Sequence, residues 1–115
     1  MGVDVRIERI VEGRAVEIGR LRSANDVLGW IERNVGVTSC SEPMPIRRRH
    51  LIKLMNACKL ALSNPMKARR IIPSTEGVRR RSSKDYSDGV RKSFELCRRL
   101  IREVGTDEIV YLTWE

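Results

Sequence analysis

The sequence predicts a single α+β domain over residues 1–115, with a small antiparallel sheet, made of an N-terminal hairpin and a C-terminal strand, packed against three main helices and one short one. Three observations carry this. Alternating apolar residues at the N-terminus and a short run of strand-forming residues near the C-terminus flank a middle filled by apolar spacings of three and four. A length of 115 residues suits one domain of ordinary size and is too short for two. By the scaling of surface with mass, such a chain exposes about 6,400 Å² when folded against roughly 19,000 Å² when extended, so a real core can form. Hydrophobic residues are 41% of the chain, which argues against wholesale disorder. No stretch approaches the roughly 20 uninterrupted apolar residues of a membrane span, so no membrane partner is expected.

Val3, Val5 and Ile7 alternate with Asp4, Arg6 and Glu8, the pattern of a half-buried strand, and Ala15 to Ile18 supply a second. Glu12-Gly13 between them suits a hairpin turn. Ser23 resembles an N-cap with Asp26 three residues on, and Val27, Trp30, Ile31 and Val35 make the buried face of a first helix. Asn34 to Pro45 reads as an irregular connection. Leu51, Leu54, Met55, Cys58 and Leu62 predict a second helix over 46–63, with Arg48, Arg49, Lys53, Asn56 and Lys59 on its polar side. Asn64-Pro65 stops it and starts a short helix to Ile71, with Asn64 as cap and Pro65 at the first position. Ser74 to Ser83 carries no apolar periodicity and reads as an exposed loop. The last helix starts near Ser83, with Tyr86, Val90, Phe94, Cys97, Ile101 and Val104 as its stripe and Gly105 as the C-cap candidate. Ile109 to Leu112 is the terminal strand.

The chain carries 23 Lys and Arg against 15 Asp and Glu, a net charge of +8. The excess is local. Residues 46–105 hold 17 basic and 5 acidic side chains, a net +12, whereas the first 45 residues are close to neutral and the last ten are acidic. Most of these cations are arginines, which suit bidentate pairing with phosphate or carboxylate. The candidate binding surface is Arg47, Arg48, Arg49, Arg79, Arg80, Arg81, Arg91, Arg98 and Arg102. Its partner is expected to be nucleic acid or an acidic protein, held mainly through charge. A merely solvated basic face is the plainer alternative.

No catalytic or metal-binding pattern stands beside this surface, so a non-enzyme without cofactors is expected. His50 is the single histidine and reads as a surface residue. Asp85 and Asp88 flank Tyr86, but Asp85 at a helix start is explained by the helix dipole. Cys40, Cys58 and Cys97 form no CxxC pair, and the latter two fall on apolar stripes, as buried free thiols do. The charged N-terminus lacks a signal peptide's apolar core, which predicts a cytoplasmic protein. An unpaired sheet edge would support a homo-oligomer, although the sequence does not locate one.

Residues 17–25, reading EIGRLRSAN, with Trp30 and Asn34-Val35 after them, resemble the opening of a family of small uncharacterised proteins of tailed phages and prophages. Leu51, Leu54 and Cys58, Ala68, Ile72-Pro73, Glu76-Gly77, Asp85-Tyr86, Val110-Tyr111 and Trp114 are similar to its later motifs. The resemblance implies a viral or prophage origin and no biochemical activity. It also implies an alternative role, binding and inhibiting a host factor or defence system in the manner of anti-CRISPR proteins. Two departures stand out. The family's loop glycine is followed by an apolar run, and here Gly77 is followed by Val78 and Arg79 to Arg81. The family's second helix begins with a hydroxyl cap and acids, and here Arg47 to His50 stand there. Cations in a helix's first turn oppose its dipole by roughly 0.3–1 kcal/mol each, so either the helix starts later or something relieves that end.

Overall fold

Alternation at the N-terminus and a two-residue turn produce the first structural unit, a hairpin of β1 (Val5–Val11) and β2 (Arg14–Leu21). In the computed structural model, which describes residues 4–22, 25–36, 42–73 and 83–114, the turn residues Glu12 and Gly13 both have positive φ, 51° and 78°. These are the dihedrals of the hairpin turn whose twist matches its strands. Glycine meets that demand freely and glutamate does not, because its Cβ crowds the backbone in the left-handed region. Glu12→Asn is therefore expected to stabilise the protein by about 1 kcal/mol, read as a higher urea midpoint at unchanged slope; an unchanged midpoint would contradict the turn geometry.

The hairpin is joined by β4 (Ile109–Trp114) and by a strand the sequence did not announce, β3 (Met44–Arg47). The sheet is antiparallel throughout, in the order β2-β1-β4-β3. Residues read as the end of an irregular connection and the start of a helix thus pair with β4, Ile46 opposite Val110. Pro45 obscured this strand, since proline is tolerated only where a ladder bond is not needed, and β3 lies at the sheet's edge. The other edge, β2, runs three residues beyond the predicted Ile18 and carries a bulge: Ile7 faces Gly19, while Glu8 faces Glu17.

One sheet face, with Val5, Ile7, Met44, Ile46, Val110 and Leu112, is buried in a single core with the helices. Helix α1 (Asn25–Asn34) contributes Val27, Trp30 and Ile31, and α2 (Arg48–Ser63) contributes Leu51, Leu54 and Cys58. Helix α3 is shorter than predicted, Ala68–Ile71, because residues 65–67 form a turn and Asn64 closes α2 instead of capping α3. Helix α4 (Ser83–Glu103) seats on β2 through Gly19: a Cβ there would lie 2.8 Å from Leu96 Cδ1. Its buried face runs through Tyr86, Val90, Ser93, Cys97, Leu100 and Val104, whereas Phe94 and Ile101 are only half-buried. The predicted stripe was thus displaced by one residue at two positions. Gly105 follows α4 without left-handed backbone, its N–H donating to Glu108 Oε1 at 3.0 Å. The Ser23 cap, Cys40 and the 74–82 loop lie outside the described residues.

Cys58 and Cys97 are buried free thiols, as expected. Burial pushes Cys58 up to about 12 and raises Cys97 further, with the Cys58 neighbour adding to the effect. Neither is a nucleophile near neutrality.

Candidate functional site

The basic block is organised by two antiparallel helices. The first turn of α2 meets the last turn of α4, where Arg48 Nε donates to the Ile101 carbonyl at 2.8 Å. At the opposite end the Tyr86 hydroxyl, near the start of α4, reaches the Ala68 and Ile72 carbonyls just beyond α2, at 3.0 and 2.6 Å. Arg69 stacks over the same ring at 4.3 Å from its centroid. With both ends pinned, the two helices run side by side.

On α4 that side is the row Lys84, Arg91, Glu95, Arg98 and Arg102, at helical spacings of three, four and seven, and all five are exposed. On α2, Arg49 and Lys59 are exposed one and eleven residues beyond Arg48's position. Arg91 pairs with Asp88 at 3.5 Å, an exposed contact of little energetic weight that leaves the guanidinium available. The rise of a helix separates Lys84 from Arg102 by about 27 Å along the axis.

The predicted site residues therefore part company. Arg91, Arg98 and Arg102 share one exposed face of α4, and Arg49 is exposed on the neighbouring α2. Arg48 borders it, half-buried, with its guanidinium committed to a carbonyl. Arg47 does not join them: it ends β3 opposite Ile109, sharing by strand alternation the sheet face of exposed Pro45 and not that of buried Ile46. Arg79, Arg80 and Arg81 lie outside the described residues. Lys84 joins the α4 row although it was not among the predicted site residues; its signal was the spacing, seven residues before Arg91 as Arg91 stands before Arg98. Lys59, expected on the polar side of the second helix, is exposed there.

The conflict between the Arg run and the helix dipole is resolved twice over. The helix starts at Arg48 instead of Ile46, and the Arg48 charge falls on the carbonyl end of α4, where a cation is favourable. Arg9 serves the same end, donating to the Glu103 carbonyl and to both Glu108 carboxylate oxygens, each at 2.9 Å or less. The Arg9 bond holds Glu108 below the usual carboxylate range, helped by the Gly105 N–H.

His50 departs from its expected surface role. It is half-buried, and its Nδ1 accepts the Arg47 backbone N–H at 2.9 Å, the third helical residue reaching back to the cap. Burial, and then the Arg49 and Lys53 charges, hold its pKa below 6.5. The unfolded chain therefore takes up the proton first, so stability is complete above about pH 6.5 and declines as the pH falls from there toward the folded value. His50→Gln keeps an acceptor without the titration. Its unfolding midpoint is expected to stay flat between pH 7 and pH 5 while the parent's falls, and parallel profiles would disprove the cap.

Among the described residues no group of three or more His, Cys, Asp or Glu is placed to hold a metal ion, and no helix is long and apolar enough to cross a membrane. Trp30 and Tyr86 are buried, so neither offers a ring to a stacked base. What the α2–α4 face offers chemically is a row of guanidinium and ammonium donors on a rigid helical support. Comparison of the chain with models of protein families, with curated proteins and with solved structures gives no match.

Proposed function

We propose that the protein is a non-catalytic binding module that holds duplex nucleic acid by its phosphate backbone along the outer face of α2 and α4. The observation that carries this reading is the exposed row of Lys84, Arg91, Arg98 and Arg102 along α4, with Arg49 and Lys59 exposed on the antiparallel α2 beside it and Asp88 and Glu95 as the nearby α4 carboxylates. Its reach of about 27 Å matches about eight base-pair steps of a duplex. Backbone neutralisation by about six cations gives a log–log salt slope near −5, so affinity falls about thirtyfold for each doubling of salt. Fluorescence anisotropy with a labelled 20-base-pair duplex between 50 and 200 mM salt tests this; a slope shallower than about −2 defeats it. On the motif resemblance, the reading extends to a phage- or prophage-type accessory protein acting in the host cytoplasm.

A second reading, an inhibitor binding a host protein, is favoured by a different observation. The β1–β2 hairpin continues past the last residues paired with β4, and Ile10, Val11 and Val16 on it are 52%, 44% and 44% exposed. Apolar side chains on a projecting hairpin suit a protein partner more than a polyanion. A pull-down with and without nuclease separates the two: loss of all captured protein after nuclease supports the first reading, and nuclease-resistant capture that is lost on Ile10→Ser and Val16→Ser supports the second.

A further inference from the structure

The other flank of α4 bears a distinct concavity. Between the end of β2, the beginning of α1 and the middle of α4 lies a groove of about 560 Å³, within the usual range of ligand pockets. Its floor is apolar: Leu21 and Val27 are buried and Leu96 is half-buried. Four cations border it, Arg20 and Arg22 from β2 and the residue after it, and Lys92 and Arg99 from α4. Only one carboxylate, Glu95, lines it among the described residues.

These cations fall into two kinds. Arg99 is anchored, donating to the Ile18 carbonyl at 2.9 Å and to Glu103 at 3.3 Å, and Arg20 is held by Glu17 at 2.9 Å. Arg22 and Lys92 are exposed and make no ion pair among the described residues. Two anchored charges and two that are unpaired among the described residues thus face the same 560 Å³ space. The α4 wall includes the small residues Gly89 and Ser93, and the Ser93 hydroxyl donates to the Gly89 carbonyl at 2.9 Å.

We propose that this groove binds a nucleoside monophosphate, its phosphate held by Arg22 and Lys92 with Arg20 and Arg99 behind them, and its base laid on Leu21, Val27 and Leu96. Each part of the groove answers one part of such a ligand. Guanidinium and ammonium donors match phosphate oxygens. An apolar floor is wasted on inorganic phosphate but takes a planar base, and Glu95 accepts from sugar hydroxyl or exocyclic amino donors, which a fatty-acyl phosphate lacks. The site shares Glu95 with the α4 row but none of the cations of the duplex-binding face, so either proposal stands or falls alone. The nucleotide has two sources, a free molecule or the phosphorylated end of a strand.

Titration of the ¹⁵N-labelled protein with AMP and with UMP at constant ionic strength tests the site. Shifts confined to the amides of residues 20–22, 27, 89–96 and 99 are expected, with inorganic phosphate binding at least tenfold more weakly. Arg22→Gln with Lys92→Gln, both at exposed positions, is expected to weaken nucleotide binding at least tenfold with an unchanged melting temperature, and Arg98→Gln with Arg102→Gln to leave it unaltered. The proposal is overturned if neither nucleotide binds, if phosphate binds as well as they do, or if the Arg22/Lys92 variant binds like the parent. A 5′-phosphorylated trinucleotide identifies the source: tighter binding than AMP supports a strand end, weaker binding supports a free nucleotide.

Discussion

Replacing Arg49, Arg98 and Arg102 together by glutamine is expected to weaken duplex binding roughly 30- to 100-fold at 100 mM salt and to flatten the salt slope from about −5.4 to about −2.7. Each phosphate contact releases close to one counterion, so three lost contacts remove nearly three from the slope. All three side chains are exposed and none makes a hydrogen bond or ion pair among the described residues, so the fold is expected to survive. The same change at Arg48 would not be interpretable this way, because its guanidinium ties α2 to the Ile101 carbonyl. A uniform loss across unrelated duplex sequences fits backbone contacts, since phosphates carry no sequence information. Parent-like affinity and slope in the triple variant would end the proposal for this face.

Leu100→Ala is expected to cost about 3–4 kcal/mol, against about 1–2 kcal/mol for Ile101→Ala. Leu100 is fully buried, in contact range of a β2 glycine, so truncation loses transfer energy and leaves a cavity that the close approach at Gly19 cannot easily fill. Ile101 is half-buried, and part of its loss is made good by solvent. Against a total stability on the order of 5–15 kcal/mol the Leu100 change is large, and it is expected to lower the melting temperature by on the order of 10–20 °C. Thermal unfolding of the two variants side by side decides the matter: an Ile101→Ala effect equal to or above that of Leu100→Ala would place the wrong residue in the core.

That pair of leucine and isoleucine shows what local pattern can and cannot resolve. Hydrophobic spacing on α4 is satisfied equally by Leu100 or Ile101, and it favours Phe94 over Ser93 because it counts apolarity alone. The helix is in fact covered from two directions, by β2 through Gly19 and by α2, and the buried arc is set by those contacts. Likewise Pro45 spoke against a strand at Met44–Arg47, and only the pairing with β4, more than sixty residues away in sequence, makes one there. The hairpin and its turn were legible because a two-residue connection between alternating segments is a local matter, and so was the helix over Leu51 to Leu62, whose stripe leaves no competing register.

The sequence by itself determined the α+β class, the positions of the main helices, the burial of Cys58 and Cys97, and the concentration of charge in residues 46–105. Which cations act together was decided only by the tertiary structure. It removed Arg47 from the Arg47–Arg49 run by placing it at the end of an edge strand, committed Arg48 to a helix terminus, and exposed Lys84 in line with Arg91, Arg98 and Arg102. It also set Arg20 and Arg22, from the near-neutral first third, beside Lys92 and Arg99 around one groove. The physical reason is the same throughout. Secondary structure follows from neighbours three or four residues apart, whereas a binding surface is made by side chains that only long-range packing brings within a few ångströms of one another.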